Sequence, residues 1–142
     1  MKRNGKAWIS LAVLWLATIC HAAAQERFDL ICNLKGTESF HPGKVTPFSR
    51  HLSIDLDARV WCVWDQNCDR FWRIPRISKD EIQLDDVDNS FMKLETSVNR
   101  HTWMWVSRAH IKEFIDSGGE TYGPCKQAPF TPFPATAQPA PK

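Results

Sequence analysis

Apolar and polar residues alternate in steps of two along most of this chain. Phe28, Leu30 and Cys32 are interleaved with Asp29, Ile31 and Asn33, and Leu52, Ile54 and Leu56 with Ser53, Asp55 and Asp57. That is the period of a strand with one face on a core. Helical spacing is nearly absent, although residues 109–116, with Ile111, Phe114 and Ile115, also read as a helical turn ahead of Gly118 and Gly119. Asp57, Asp65, Asn67, Ser78, Asp80, Asp88, Asn89 and Asn99 punctuate the chain; such residues favour turns because their short side chains bond nearby backbone. Each interval is the length of one short strand. The pattern predicts an all-β fold, an antiparallel meander of about seven or eight short strands forming a small barrel or sandwich.

The first residues depart from this pattern. A basic start (Lys2, Arg3, Lys6), an apolar run from Ala7 to Cys20 and small residues at Ala22, Ala23 and Ala24 have the three-part layout of a secretory signal. Residues 1–24 are therefore predicted to be a signal peptide, with Gln25 as the mature N-terminus. The run is too short for the roughly 20 residues of a membrane span, and no second one follows, so no transmembrane segment is expected in the mature form. Lipidation at Cys20 is disfavoured because Ile19 stands where that processing takes a small residue.

Export changes how the cysteines read. Cys32, Cys62, Cys68 and Cys125 remain after Cys20 leaves, and in an oxidising compartment they are expected to form two disulfides. If strands flank a turn at Asp65, Gln66 and Asn67, Cys62 and Cys68 oppose each other at roughly 4.5–5.5 Å between Cα atoms, which a disulfide tolerates. Cys32 then pairs with Cys125. A zinc site is the weaker reading, since the step from Cys62 to Cys68 is longer than the usual knuckle.

Processing also reverses the charge balance. Of 18 basic and 16 acidic residues, Lys2, Arg3 and Lys6 belong to the signal, leaving a slight acidic excess and no driver for nucleic-acid binding. Arg70, Arg73, Arg76 and Lys79, interleaved with Phe71 and Trp72, read as a solvated strand face. One domain, residues 25–134, fits the mature length. Five of the nine prolines follow Cys125, and residues 135–142 are expected to be a disordered Pro-rich tail, with Phe130 and Phe133 able to lay its first part on the domain.

Trp61, Trp64, Trp72, Trp103 and Trp105 are the second unusual feature of the mature chain. In the hairpin above, Cys62, Trp64, Cys68, Trp72 and Ile74 are expected on one face, and Trp61, Val63 and Phe71 on the other. Both faces being apolar, one is either covered by a second layer or exposed for a partner. Trp64 and Trp72 are assigned to the core. Trp61, Phe71, Trp103 and Trp105 form the candidate binding face.

No catalytic motif, cofactor site or metal set emerges. Ser, His and Asp occur without a nucleophile elbow, and His41, His51, His101 and His110 lack paired ligand spacing. Asp86, Asp88 and Ser90 resemble the start of a calcium loop near Asp85, but Phe91 stands where the loop needs glycine. Asp55 and Asp57 are a formal acid/base pair with no cleft marked around them.

Phe28 to Cys32, Ile54 to Cys62 with Cys68, Ile82 to Leu84, Val98 to Arg100 with Thr102, and Gly123 to Cys125 with Phe130 and Phe133 together resemble a group of small uncharacterised exported alphaproteobacterial proteins with four mature cysteines. The resemblance implies a periplasmic or secreted address and names no substrate. Similar sequences carry glycine after the threonine of the turn; Trp103 stands there in this chain. Periplasmic lysozyme inhibitors offer an architectural analogy, a short exported meander with a cysteine near each end. The expected function is a binding or interaction module for an envelope protein or glycan. The alternative is an inhibitor of an envelope-directed enzyme such as lysozyme, acting through His41, Pro42 and Gly43 or through Asp65, Gln66 and Asn67.

Overall fold

A computed structural model describes residues 26–37, 44–112 and 118–141. The predicted signal and its cleavage point, the His41, Pro42 and Gly43 loop, and residues 113–116 of the ambiguous segment lie outside them. Residues 109–111 belong to a strand.

The chain is all-β, as its two-residue period predicts. Its strands are β1 (Arg27–Thr37), β2 (Val45–Asp55), β3 (Val60–Val63), β4 (Arg70–Arg73), β5 (Arg76–Ile77), β6 (Glu81–Asp88), β7 (Met92–Asn99), β8 (Met104–Ile111), β9 (Gly118–Ala128) and β10 (Gln138–Pro139). Two of the ten span only two residues, so the eight longer ones correspond to the predicted meander. They form one sheet in the order β10-β4-β3-β2-β1-β9-β8-β7-β6-β5, curled into a half-barrel. Two local meanders, β1 to β4 and β5 to β9, meet at a single antiparallel ladder between β1 and β9.

The curl encloses the core. Leu30, Leu34, Leu52, Ile54, Trp61, Ile82, Leu84, Val98 and Trp105 are buried in one cluster. Trp61 on β3 donates from Nε1 to the carbonyl of Leu84 on β6 at 3.2 Å, linking strands far apart in the sheet. Where β1 meets β9, an added Cβ on buried Gly123 would lie 2.1 Å from the Asn33 carbonyl oxygen, so only glycine fits that approach.

Both disulfides form as predicted. Cys32 and Cys125 are direct partners across the β1/β9 ladder, 3.9 Å apart at Cα. Cys62 and Cys68 lie 5.1 Å apart, but the expected hairpin register is wrong. A 3-10 turn over Trp64–Gln66, then Asn67 and Cys68 with positive φ, shift the pairing by an odd number of residues, so Cys62 opposes Phe71 instead of Cys68 and Trp61 opposes Trp72. Trp72 therefore shares a face with Trp61, at 5.1 Å between ring centroids.

The far face of β1 and β2 is covered too. After β9 the chain folds back over it, and Thr131 bonds Asp29 through both its amide and its hydroxyl. The tail expected to be disordered then pairs in parallel with β4, with the Gln138 and Ala140 amides donating to the Asp69 and Phe71 carbonyls. The prolines there remove donors on alternate residues and leave these two amides to fill the ladder.

Candidate functional site

The concave side of the half-barrel holds a cavity of about 190 Å³ between the two meanders. The first meander contributes Phe48, Arg50 and Trp61, and the second Asp85, Leu94, Thr96, Trp105, Ser107 and Thr121. Its walls mix apolar rings with hydroxyl and charged groups, and its charges come from positions that alternation normally fills with core residues.

Arg50 is inward because it continues the phase of Ile54 and Leu52, opposite Cys32. Its guanidinium stacks over the Phe48 ring at 5.5 Å, a cation-π geometry. Its Nε is buried without a hydrogen-bond acceptor; the Asp65 carboxylate, 3.9 Å away, is beyond hydrogen-bond range.

Asp85 is inward for a different reason. The β6/β7 pairing shifts by one between Gln83 and Asp85. This β-bulge lets Leu84 keep its core position and places Asp85 opposite Thr96, an example of a bulge re-aiming a side chain. Burial raises the pKa of Asp85, against the opposing pull of the Thr96 hydroxyl and the Arg50 charge. Thr96 and Ser107 share a hydrogen bond of 2.9 Å. Trp105 is 2% exposed, and its indole Nε1 has no acceptor.

The four aromatic residues of the predicted binding face are divided. Trp61, 5% exposed, and Trp105 are buried and meet at the cavity; neither contributes to an exposed patch. The assignment of Trp61 to solvent is corrected by its place under the curl. Phe71 lies on the opposite face, beside Cys62. Trp103 sits at the end of the half-barrel with φ 53°, edge-on to Phe28 at 5.4 Å. It lines an open groove of about 840 Å³ with Arg27, Lys79, Arg100 and His101. Three of those groups already have partners: Arg27 binds Asp55, Arg100 binds Glu26 and the Ser78 carbonyl, and His101 binds Asp80.

On the outer face, Asp29, His51 and Ser53 come together, but not as a nucleophilic triad. Asp29 Oδ1 accepts from Ser53 Oγ at 2.6 Å and the Thr131 amide at 3.0 Å; Oδ2 meets His51 Nε2 at 2.7 Å and Thr131 Oγ1 at 2.6 Å. Ser53 Oγ also accepts from Trp64 Nε1 at 2.7 Å. Ser and His both bind the carboxylate instead of each other, so no base addresses the hydroxyl. Burial raises the pKa of Asp29, but the bonds from Ser53, Thr131 and His51 outweigh it and the net shift is downward. This is a clamp on the segment after β9.

The remaining candidates do not assemble. Asp55 bonds Arg27 at 2.8 Å and the Ala58 amide at 2.8 Å, while Asp57 lies in the turn beyond β2. Asp86 faces Glu95, and Asp88 pairs with Lys112. Among the described residues no cluster of three or more His, Cys, Asp or Glu is placed to hold a metal, and no helix is long and apolar enough to cross a membrane. No protein-family model, curated protein or solved structure matches this chain.

Proposed function

We propose that this chain is an exported binding module, delivered to the periplasm or secreted, which receives a small ligand or a partner's side group in the cavity between its two meanders. The signal-like residues 1–24 and the two disulfides support the address. The observation that carries the function is the placing of two opposite charges, Arg50 and the bulge-turned Asp85, on facing walls of one cavity. With Trp61 and Trp105 buried, this reading assigns the binding role to the cavity in place of an aromatic surface.

Native mass spectrometry of protein purified from the periplasm tests the reading. A retained small mass, absent from Leu94→Trp protein whose indole fills the cavity, is the expected result. No retained mass, and no change in indole signals on adding an envelope metabolite extract, would sink it.

A second reading has one observation in its favour. Asp65, Gln66 and Asn67 form an exposed, ordered turn pinned by the Cys62–Cys68 disulfide, a preorganised loop suited to inhibiting an envelope-directed enzyme such as lysozyme. Inhibition of lysozyme by the wild type, lost when Asp65 and Gln66 are both changed to Ala, would favour it.

A further inference from the structure

The chemistry of the cavity identifies its ligand more closely, on the reading that the cavity is a binding site. From the first meander it presents a cation, Arg50, whose buried Nε stands 3.9 Å from the Asp65 carboxylate outside the cavity lining. The Trp105 and Trp61 rings line it as well, the indole Nε1 of Trp105 shielded from the cavity and that of Trp61 satisfied by the Leu84 carbonyl. From the second meander the bulge turns a carboxylate inward, Asp85, opposite the Thr96 hydroxyl.

Each charge excludes a simple ligand. A plain carboxylate that reached Arg50 would face Asp85, and a plain amine that reached Asp85 would face Arg50. A molecule carrying both charges a short distance apart satisfies both walls, and it leaves its remaining atoms against Phe48, Leu94 and the Trp61 ring. A volume of about 190 Å³ suits a molecule the size of one amino acid.

We infer that the cavity binds a free α-amino acid with an apolar side chain, its carboxylate held by the Arg50 guanidinium and its ammonium group by Asp85. The bulge in β6 then serves specificity, since without it Asp85 would point to solvent and Arg50 would accept any small anion.

The test compares three probes of similar shape on the wild-type protein: L-leucine, 4-methylpentanoate and 3-methylbutylamine. Calorimetry gives affinities, and the Trp105 indole N–H resonance reports occupancy. L-leucine is expected to shift that resonance and to bind at least about tenfold more tightly than either analogue, since loss of one partner from a buried charge pair commonly costs more than that. Asp85→Asn, with folding verified by circular dichroism, is expected to weaken L-leucine at least about tenfold and to leave 4-methylpentanoate unchanged or tighter.

Equal binding of L-leucine and 4-methylpentanoate, both indifferent to Asp85→Asn, would overturn the amino-acid assignment while leaving the cavity a ligand site. Silence to all three probes overturns the assignment as well. If the natively purified protein still retains another mass that Leu94→Trp abolishes, the binding reading survives that result; if it retains none, both fall.

Discussion

Replacing Asp29 by alanine is expected to release the segment after β9 and to destabilise the whole sheet. The carboxylate is 1% exposed and takes four hydrogen bonds, from Ser53, His51 and both polar groups of Thr131. Ser53 Oγ retains an alternative acceptor in the Thr131 carbonyl at 3.0 Å. The Thr131 amide has no such alternative in this arrangement, and the Phe130 and Phe133 contacts depend on the segment staying in place. Each buried group left unsatisfied costs about 1–3 kcal/mol, and bonds to a charged acceptor lie at the upper end. The expected loss is about 3–5 kcal/mol, comparable with other broken buried charge networks. For a domain of this size that lowers Tm by about 12–20 °C.

Asp29→Asn keeps the shape and is expected to lose only about 1–2 kcal/mol, because neutral bonds are roughly half as strong. The pH dependence follows from the lowered pKa of Asp29. Its contribution is fully present above the unfolded value, near 3.8, and disappears as pH falls through the folded one. The difference between wild type and Asp29→Asn should thus be constant at neutral pH and shrink below about pH 4. Urea unfolding at several pH values measures this, and hydrogen exchange at the Thr131 amide reports the clamp itself. A loss below about 1 kcal/mol for Asp29→Ala, or unchanged protection at Thr131, would refute the reasoning.

Other substitutions probe separate parts of the fold. Gly123→Ala places a methyl group against the Asn33 carbonyl and is expected to cost about 2–4 kcal/mol, visible as a lower urea midpoint at unchanged m-value. Trp61→Ala should cost about 3–5 kcal/mol and Trp61→Phe about 1–2 kcal/mol, the latter from the lost bond to Leu84; chemical denaturation separates the two. Trp103→Gly relieves about 1–2 kcal/mol of left-handed backbone strain but loses the Phe28 contact, so the net change in Tm is expected to stay within a few degrees, unlike Trp103→Ala, which loses the contact and keeps the strain.

The extent to which the sequence announces this molecule follows from the range of each interaction. Alternation over Phe28 to Cys32 and Leu52 to Leu56 is a nearest-neighbour signal, and it carries the sheet, its meander and the two disulfides. Arg50 was not singled out, although it continues the inward phase of Leu52 and a charge at such a position is conspicuous. Asp85 was not legible, because strict alternation from Ile82 and Leu84 sends it outward and a bulge leaves no mark in composition. The face of Trp72 was misread for a related reason: the 3-10 turn changes the parity of the hairpin, and one residue of slip reverses every side chain. Nor could the clamp be foreseen, since it joins Asp29 to Thr131 across 102 positions, where no local pattern reaches.

The placement of β1 governs the order in which this protein is able to fold. One of its edges bonds β2, close in sequence, and the other bonds β9 near the far end of the chain. Each meander can assemble from local contacts as it emerges from a ribosome. The seam between them cannot, because residues 118–128 must be present before the first strand is paired on both sides. Dominance of such distant pairings slows folding, and the Cys32–Cys125 bond, spanning 93 positions, can lock the seam only after it has closed. A chain cut short before β9 is therefore left with a first strand paired to β2 on one edge and open on the other, the condition in which chaperones capture it or neighbouring copies add to its edge.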